Sequence, residues 1–194
     1  MPESARQPVL HLIVSGAQPA TDLEPFIKNC QEVGWDIHII ATPAAMKLID
    51  KDALTQVTGN MVHEDEQPQP LHPLPPANAL AVAPADFDTI NKWAYGNNDN
   101  LALRILNEAI GLSLPIVVVP IPDPALARHP ALVESLGRLR RWGVTVVFNS
   151  ALYTPLTADP GEEPVDPFPW QAAEQVIAEW TRFARVPTPG AAAS

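Results

Sequence analysis

Five short apolar runs, rich in β-branched residues and separated by stretches long enough for a helix, constrain the fold of this chain most. They lie at Val9 to Val14, Asp36 to Ala41, Ala79 to Ala83, Pro115 to Val119 and Val144 to Phe148. Runs that are apolar on both faces are typical of parallel strands covered by helices on each side. The segments between them have helical spacing, and Gly34, Gly111 and Gly143 stand where helices would end. The pattern predicts an α/β fold: a Rossmann-like, doubly wound parallel sheet with three α/β/α layers.

The length of 194 residues suits one well-buried domain. We assign residues 1–186 to this domain and expect residues 187–194 to form a disordered tail. The strand and helix pattern breaks at about 51–76 and 149–169, where many of the 23 prolines fall, so both segments are predicted to be irregular loops.

The formal net charge of −10 disfavours nucleic acid and anionic membrane surfaces as partners. No apolar run approaches the roughly 20 residues that span a bilayer, and the first residues do not form a secretory-signal pattern, so we expect a cytoplasmic protein. Cys30 is the only cysteine and is interpreted as a packed thiol. The acidic stretch 63–66 lacks the paired histidines of a zinc helix, so it is read as a solvated loop and no metal site is predicted.

The carboxyl ends of three strands carry the residues that could bind a ligand, because open α/β sheets bind ligands there. Ser15, Gly16 and Ala17 follow the first run and could cradle a phosphate, or form only a turn. Thr42 follows the second run and could equally be a helix N-cap. The stretch PADFDT at 84–89 follows the third run, where Asp88 or Thr89 could cap the next helix. No dinucleotide or nucleotide triphosphate fingerprint is present.

Taken together, these loops resemble the flavoproteins that include phosphopantothenoylcysteine decarboxylase and the peptidyl-cysteine decarboxylases. Residues 84–89 stand in place of that family's Pro-Ala-Ser-Ala-Asn-Thr signature, and PIPDPAL at 120–126 stands in place of a second signature, proline, any residue, Met, Asn, two residues, Met. The resemblance covers roughly residues 8–148. It implies bound FMN and a homotrimer or larger homo-oligomer whose flavin sites are shared between subunits.

The resemblance also implies roles for particular residues. Its cofactor-binding positions fall on Ser15, Gly16, Ala17, Thr42, Ala85, Asp86, Phe87, Asp88 and Thr89, and its catalytic positions on His72, Asp88 and Asp123. His72 could instead be an exposed bystander in its proline-rich loop. Asp88 and Asp123 replace the asparagine of each signature, and a carboxylate facing a substrate carboxylate is repelled. The family's usual substrate is therefore in question.

Our leading hypothesis is an FMN-binding redox enzyme related to cysteine decarboxylases that acts on a small molecule or peptide. The alternatives are a catalytically silent flavin-binding or regulatory subunit and a flavin prenyltransferase, although no basic cluster for a prenyl phosphate is seen. Trp93 could be a core or interface anchor, or could lie against the flavin or a neighbouring subunit. The apolar stretch 90–110 is expected to provide an association face.

Overall fold

The computed structural model describes residues 7–21, 23–65, 74–148 and 169–184. The strands are β1 (Val9–Val14), β2 (Asp36–Ala41), β3 (Ala79–Ala85), β4 (Ile116–Pro120) and β5 (Thr145–Val146). The helices are α1 (Glu24–Glu32), α2 (Lys51–Thr58), α3 (Phe87–Ala94), α4 (Leu101–Gly111), α5 (Pro130–Arg141) and α6 (Trp170–Ala184). Two short 3₁₀ helices, Gln18–Thr21 and Ala45–Lys47, follow β1 and β2. No helix in these described stretches is both long and apolar enough to cross a bilayer.

The five strands form one parallel sheet in the order β2-β1-β3-β4-β5. Leu12 of β1 lies opposite Ile39 of β2 and Ala81 of β3, which fixes the register at the centre of the sheet. The predicted parallel sheet is confirmed, with strand bounds close to those expected. β3 extends to Ala85, whereas the edge strand β5 has only two residues.

Helices cover both faces of the sheet, as the strand composition predicts. Along β1, Leu10, Leu12 and Val14 pack into a cluster that includes side chains of α1 and α6. Ile13 points the other way, into a second cluster formed with α3, α4 and α5. This alternation follows from the two-residue period of a strand. The result is the expected three-layer, doubly wound α/β/α architecture.

The segment predicted to be irregular from residue 51 begins instead with the helix α2. The Asp50 side chain accepts hydrogen bonds from two N–H groups of its first turn, and Gly59 ends the helix with φ of 73°. Only two residues of α2 are buried, so its apolar periodicity is weak in the sequence. Beyond α2, His63 is buried and pairs with Ile40 beside β2, so this part of the acidic stretch is not solvated.

Most apolar side chains of the stretch 90–110, which we expected to provide an association face, pack inside the chain. Trp93 is fully buried, and Ile90, Leu103 and Leu106 lie beside it in the core. Within each helix these side chains are three residues apart, a spacing that places them on one face, here the inner faces of α3 and α4. Of the three glycines expected to end helices, Gly34 and Gly143 adopt positive φ, whereas Gly111 is the last residue of α4. The expected tail at 187–194 and most of the second loop lie outside the described residues.

Candidate functional site

The sheet has its switch point between β1 and β3. The chain passes from β1 outward to β2 and then returns to place β3 on the opposite side of β1. In open α/β sheets, the crevice beyond the carboxyl ends of such strands is where ligands bind. A cleft of about 560 Å³ opens there, within the usual size range of small-molecule sites. Its walls come from the loops after β1, β3 and β4: Gly16, Ala17, Gln18, Asp86, Phe87, Asp88, Ile121, Pro122, Asp123, Pro124 and Leu126.

Ser15 joins the loops that follow β1 and β3. Its hydroxyl donates to the carbonyl oxygen of Pro84 at 2.9 Å and accepts from the backbone N–H of Asp86 at 2.6 Å. The Ser15 N–H also donates to the Pro84 carbonyl, at 3.1 Å. The side chain is fully buried, so it lies behind the cleft wall and not in it.

Asp86 is the N-cap of α3, where we had expected Asp88 or Thr89. One carboxylate oxygen accepts from the Thr89 N–H at 2.7 Å, and the other accepts from the Gly16 N–H at 3.0 Å. The helix begins at Phe87, one residue after the cap, so Asp88 and Thr89 fall within its first turn. Asp86 therefore both caps a helix and contacts the loop after β1.

Gly16, in the loop after β1, lies close to Ala44 in the loop after β2. A Cβ atom at Gly16 would lie 2.5 Å from the Cβ of Ala44, a separation that side-chain atoms cannot adopt. Thr42, at the end of β2, is buried, and its hydroxyl oxygen accepts from the Ala45 N–H at 3.3 Å. Thr42 therefore holds the loop after β2 in place and does not line the cleft.

The loop after β4 forms the far wall of the cleft. Ile121, Pro122, Pro124 and Leu126 give it a largely apolar surface. Asp123 is exposed on the same loop and accepts from the Ala125 N–H at 2.8 Å. The ring of Phe87 meets the ring of His129 edge to face, with centroids 5.5 Å apart. The far wall thus combines apolar contacts with one carboxylate.

The described cleft wall carries three aspartates and no lysine or arginine. Asp88 is exposed and forms an ion pair with Lys92 at 3.2 Å, and Lys92 also contacts Asp99 at 3.1 Å. The hydrogen bond to Asp99, followed by that to Asp88, raises the pKa of Lys92. Within the described stretches, no group of three or more His, Cys, Asp or Glu side chains could hold a metal ion.

The structure thus divides the residues expected at the site into two groups. Those lining the cleft are Gly16, Ala17, Asp86, Phe87, Asp88 and Asp123. Those buried outside the cleft lining are Ser15, Thr42, Ala85 and Thr89. His72 lies outside the described residues. Gln18 and the apolar residues after β4 also line the cleft but were given no site role from the sequence, although their place at the carboxyl end of a strand was a signal.

Comparison with known proteins identifies relatives of this chain. The sequence matches the Flavoprotein family over residues 2–170. The coenzyme A biosynthesis bifunctional protein CoaBC of Mycolicibacterium smegmatis is 25% identical over 139 residues, which are 69% of this chain and 33% of that protein. CoaBC of Thermococcus kodakarensis is 23% identical over 152 residues, 70% of this chain and 35% of the relative. The chain thus spans about a third of the length of these curated relatives.

Solved structures share the fold. The FMN-dependent cysteine decarboxylase TvaF from thioviridamide biosynthesis is 25% identical with a TM-score of 0.65, and the match covers 73% of this chain and 90% of that one. HAL3 from Cryptococcus neoformans is 19% identical with a TM-score of 0.73, covering 93% and 99%. The FMN-binding protein AtHal3 is 21% identical with a TM-score of 0.66, covering 92% and 96%. The family match spans most of the sequence, and the chain belongs to the Flavoprotein family.

Proposed function

We propose that this chain binds FMN in the cleft between the loops after β1, β3 and β4. The observation that carries the proposal is a cleft of about 560 Å³ at the switch point of a chain that belongs to the Flavoprotein family. The similarity to TvaF, an FMN-dependent cysteine decarboxylase, supports FMN as the flavin.

The residues around the cleft fit such a cofactor. Phe87, Ile121 and Leu126 offer an apolar surface to an aromatic ring system. The cleft also borders the start of α3, where the first backbone N–H groups have no acceptor within the helix and the helix dipole favours an anion. The Asp86 carboxylate opposes a phosphate at this point, although its two oxygens already accept backbone N–H groups.

The flavin that this protein binds could be FMN or FAD. The sequence has no dinucleotide fingerprint for an adenine half, so we expect FMN alone. Mass spectrometry of the cofactor released from freshly purified protein identifies it directly. Release of FAD, or a protein that stays colourless with excess FMN, contradicts the proposal.

We further propose a redox function related to that of cysteine decarboxylases, on a small molecule or peptide. FMN, when bound, supplies a hydride acceptor. On the protein side, Phe87 and the loop after β4 would exclude water and orient the substrate, while Asp88 and Asp123 set the charge of the cleft. A catalytic role for His72 stays a prediction, as does the cytoplasmic location.

A catalytically silent flavin-binding subunit is the second candidate. It is favoured by the three aspartates on the cleft wall, which carries no described cation to hold a substrate carboxylate. Calorimetry distinguishes this candidate from the redox enzyme. It measures the binding of a cysteine-terminated peptide to wild type and to the double variant Asp88→Asn, Asp123→Asn. If repulsion operates, the variant should gain about 1 to 3 kcal/mol of binding free energy.

The matched control for this experiment is the double variant Asp52→Asn, Glu108→Gln, which makes the same change in net charge. Both residues are exposed and neither lines the cleft, so this variant should bind the peptide as wild type does. Equal, measurable binding by all three proteins would show that the two cleft aspartates do not face the substrate.

We also propose that the protein forms a homotrimer or larger homo-oligomer, as the resemblance implies. Large apolar side chains remain exposed on the described surface, including Leu112 at 71%, Val133 at 60%, Tyr95 at 53% and Trp142 at 44%. Such side chains are available for contact between subunits. Light scattering measures the mass in solution, and a stable monomer that binds FMN would refute shared flavin sites.

A further inference from the structure

We propose that Asp86 is a positioning residue: with Ser15 it ties the loop after β1 to the loop after β3 and so fixes the shape of the cofactor cleft. The expected effect on flavin binding rests on the proposed FMN site. The link between the two loops rests on the hydrogen bonds alone. The Ser15 hydroxyl contacts the Pro84 carbonyl and the Asp86 N–H, and the Asp86 carboxylate contacts the Gly16 N–H. We call this set of bonds the Ser15–Asp86 clamp.

The clamp lies between two walls of the cleft. Gly16 and Ala17 line it on the β1 side, and Phe87 and Asp88 line it on the β3 side. The bond from the Gly16 N–H to Asp86 spans 70 residues of sequence and joins these walls directly. Hydrogen bonds to an ionised acceptor are stronger than neutral ones, so this bond is suited to restraining a loop.

The carboxylate explains how one residue can both cap and clamp. One oxygen of Asp86 accepts from Thr89 and the other from Gly16. A serine stands at this position in the signature that the loop resembles, and it has a single side-chain oxygen. Aspartate at this position therefore gives the chain a second acceptor, directed at the neighbouring loop.

Asp50 provides a matched control because it caps a helix but does not join two loops of the cleft. One of its oxygens accepts from the N–H groups of Asp52 and Ala53 at the start of α2. Both of these bonds stay within the same helix end. Asp50→Ala and Asp86→Ala therefore remove comparable caps, and only Asp86→Ala removes a bond between the two cleft walls.

The experiment measures the melting temperature and the dissociation constants of FMN and riboflavin for wild type, Asp50→Ala and Asp86→Ala. Both variants should melt at lower temperature than wild type. Only Asp86→Ala should bind flavin more weakly, by about tenfold, as expected for one lost charge-assisted hydrogen bond. Riboflavin, which has no phosphate, should show this loss in full, and FMN should lose no more than riboflavin because removing the Asp86 charge also relieves its repulsion of the phosphate. Asp86→Asn keeps one acceptor oxygen, so its flavin affinity should lie between those of wild type and Asp86→Ala. It takes the place of Asp86→Ala if that variant does not fold.

Two results would overturn the inference. Unchanged affinity for both flavins at a lowered melting temperature would make Asp86 a helix cap only. Tighter binding of FMN with unchanged binding of riboflavin would show that Asp86 acts through its charge on the phosphate.

If wild type binds neither flavin, the proposed function fails, and hydrogen exchange at the Gly16 amide still tests the clamp. Exchange should be slow in wild type and Asp50→Ala and faster in Asp86→Ala. Equal exchange in all three proteins would refute it.

Discussion

Acidification should destabilise this fold through His11, a buried histidine in the middle of β1. Its Nε2 contacts the Pro75 carbonyl oxygen at 3.0 Å, while its Nδ1 is buried and has no hydrogen-bond partner among the residues that the structure describes. His38 lies opposite it on β2, with ring centroids 6.3 Å apart, and buried His63 follows on the neighbouring segment. Burial lowers the pKa of His11 to about 4; the hydrogen bond to Pro75 opposes this shift, and the two other histidines add to it. The Asp36 carboxylate contacts the Nε2 of His38 at 3.2 Å.

The sign and size of the effect follow from linkage between protonation and folding. The unfolded chain binds a proton at His11 near the ordinary pKa of 6.5, whereas the folded chain does so only near 4. The contribution of neutral His11 is therefore complete above pH 6.5, declines as the pH falls, and is lost below pH 4. A shift of this size corresponds to about 3 kcal/mol of unfolding free energy.

Urea unfolding at several pH values between 7.5 and 4, on wild type and His11→Gln, isolates this contribution. Glutamine keeps a donor for the Pro75 carbonyl and does not titrate. Between pH 7.5 and 4, the unfolding free energy of the variant should therefore fall by about 3 kcal/mol less than that of wild type. Leu54→Ala, which removes a buried side chain that does not titrate, should keep the wild-type pH dependence. Identical pH dependence in wild type and His11→Gln would refute the reasoning.

Three further outcomes are expected. Gly16→Ala should lower the unfolding free energy by about 1 to 3 kcal/mol because its Cβ would meet Ala44, and adding Ala44→Gly should restore part of the loss in the same urea assay. Cys30 is buried and its pKa is raised to about 12, chiefly by burial, so a thiol reagent at pH 8 should label it only after denaturation; labelling of the native protein would contradict this. Asp99→Asn should lower the Lys92 pKa measured by NMR titration, and an unchanged value would exclude their hydrogen bond in solution.

The sequence predicted the sheet well because parallel strands buried on both faces leave a strong local signal. The runs at β1 and β2 match the observed strands at both ends. Helix α2 was missed because it buries only two residues, so no apolar stripe marks it. The sequence left the place of Trp93 open for a different reason: an indole beside a binding loop has the same local sequence whether it faces a ligand or, as here, the core.

The position of the cleft at the strand ends could be predicted from the sequence, but its hydrogen bonds could not. Strand ends identify Gly16, Asp86 and Asp123 as neighbours, since the carboxyl ends of parallel strands meet at one edge of the sheet. Which of three polar residues caps α3 depends on where the helix starts, and boundaries are set by tertiary contacts. The bond from Gly16 to Asp86 crosses 70 residues, and no local pattern encodes it.

The central claim is that FMN binds in the cleft beyond β1, β3 and β4. The most direct test is to titrate the apoprotein with FMN, follow flavin fluorescence, and compare wild type with Ala17→Trp and Ala178→Trp. Ala17 lines the proposed cleft, whereas Ala178 lines a separate groove beside α1 and α6. We expect one FMN per chain for wild type and Ala178→Trp, and binding weaker by at least about tenfold for Ala17→Trp, whose indole would fill the cleft. No binding by wild type, or equal binding by all three proteins, would contradict the account.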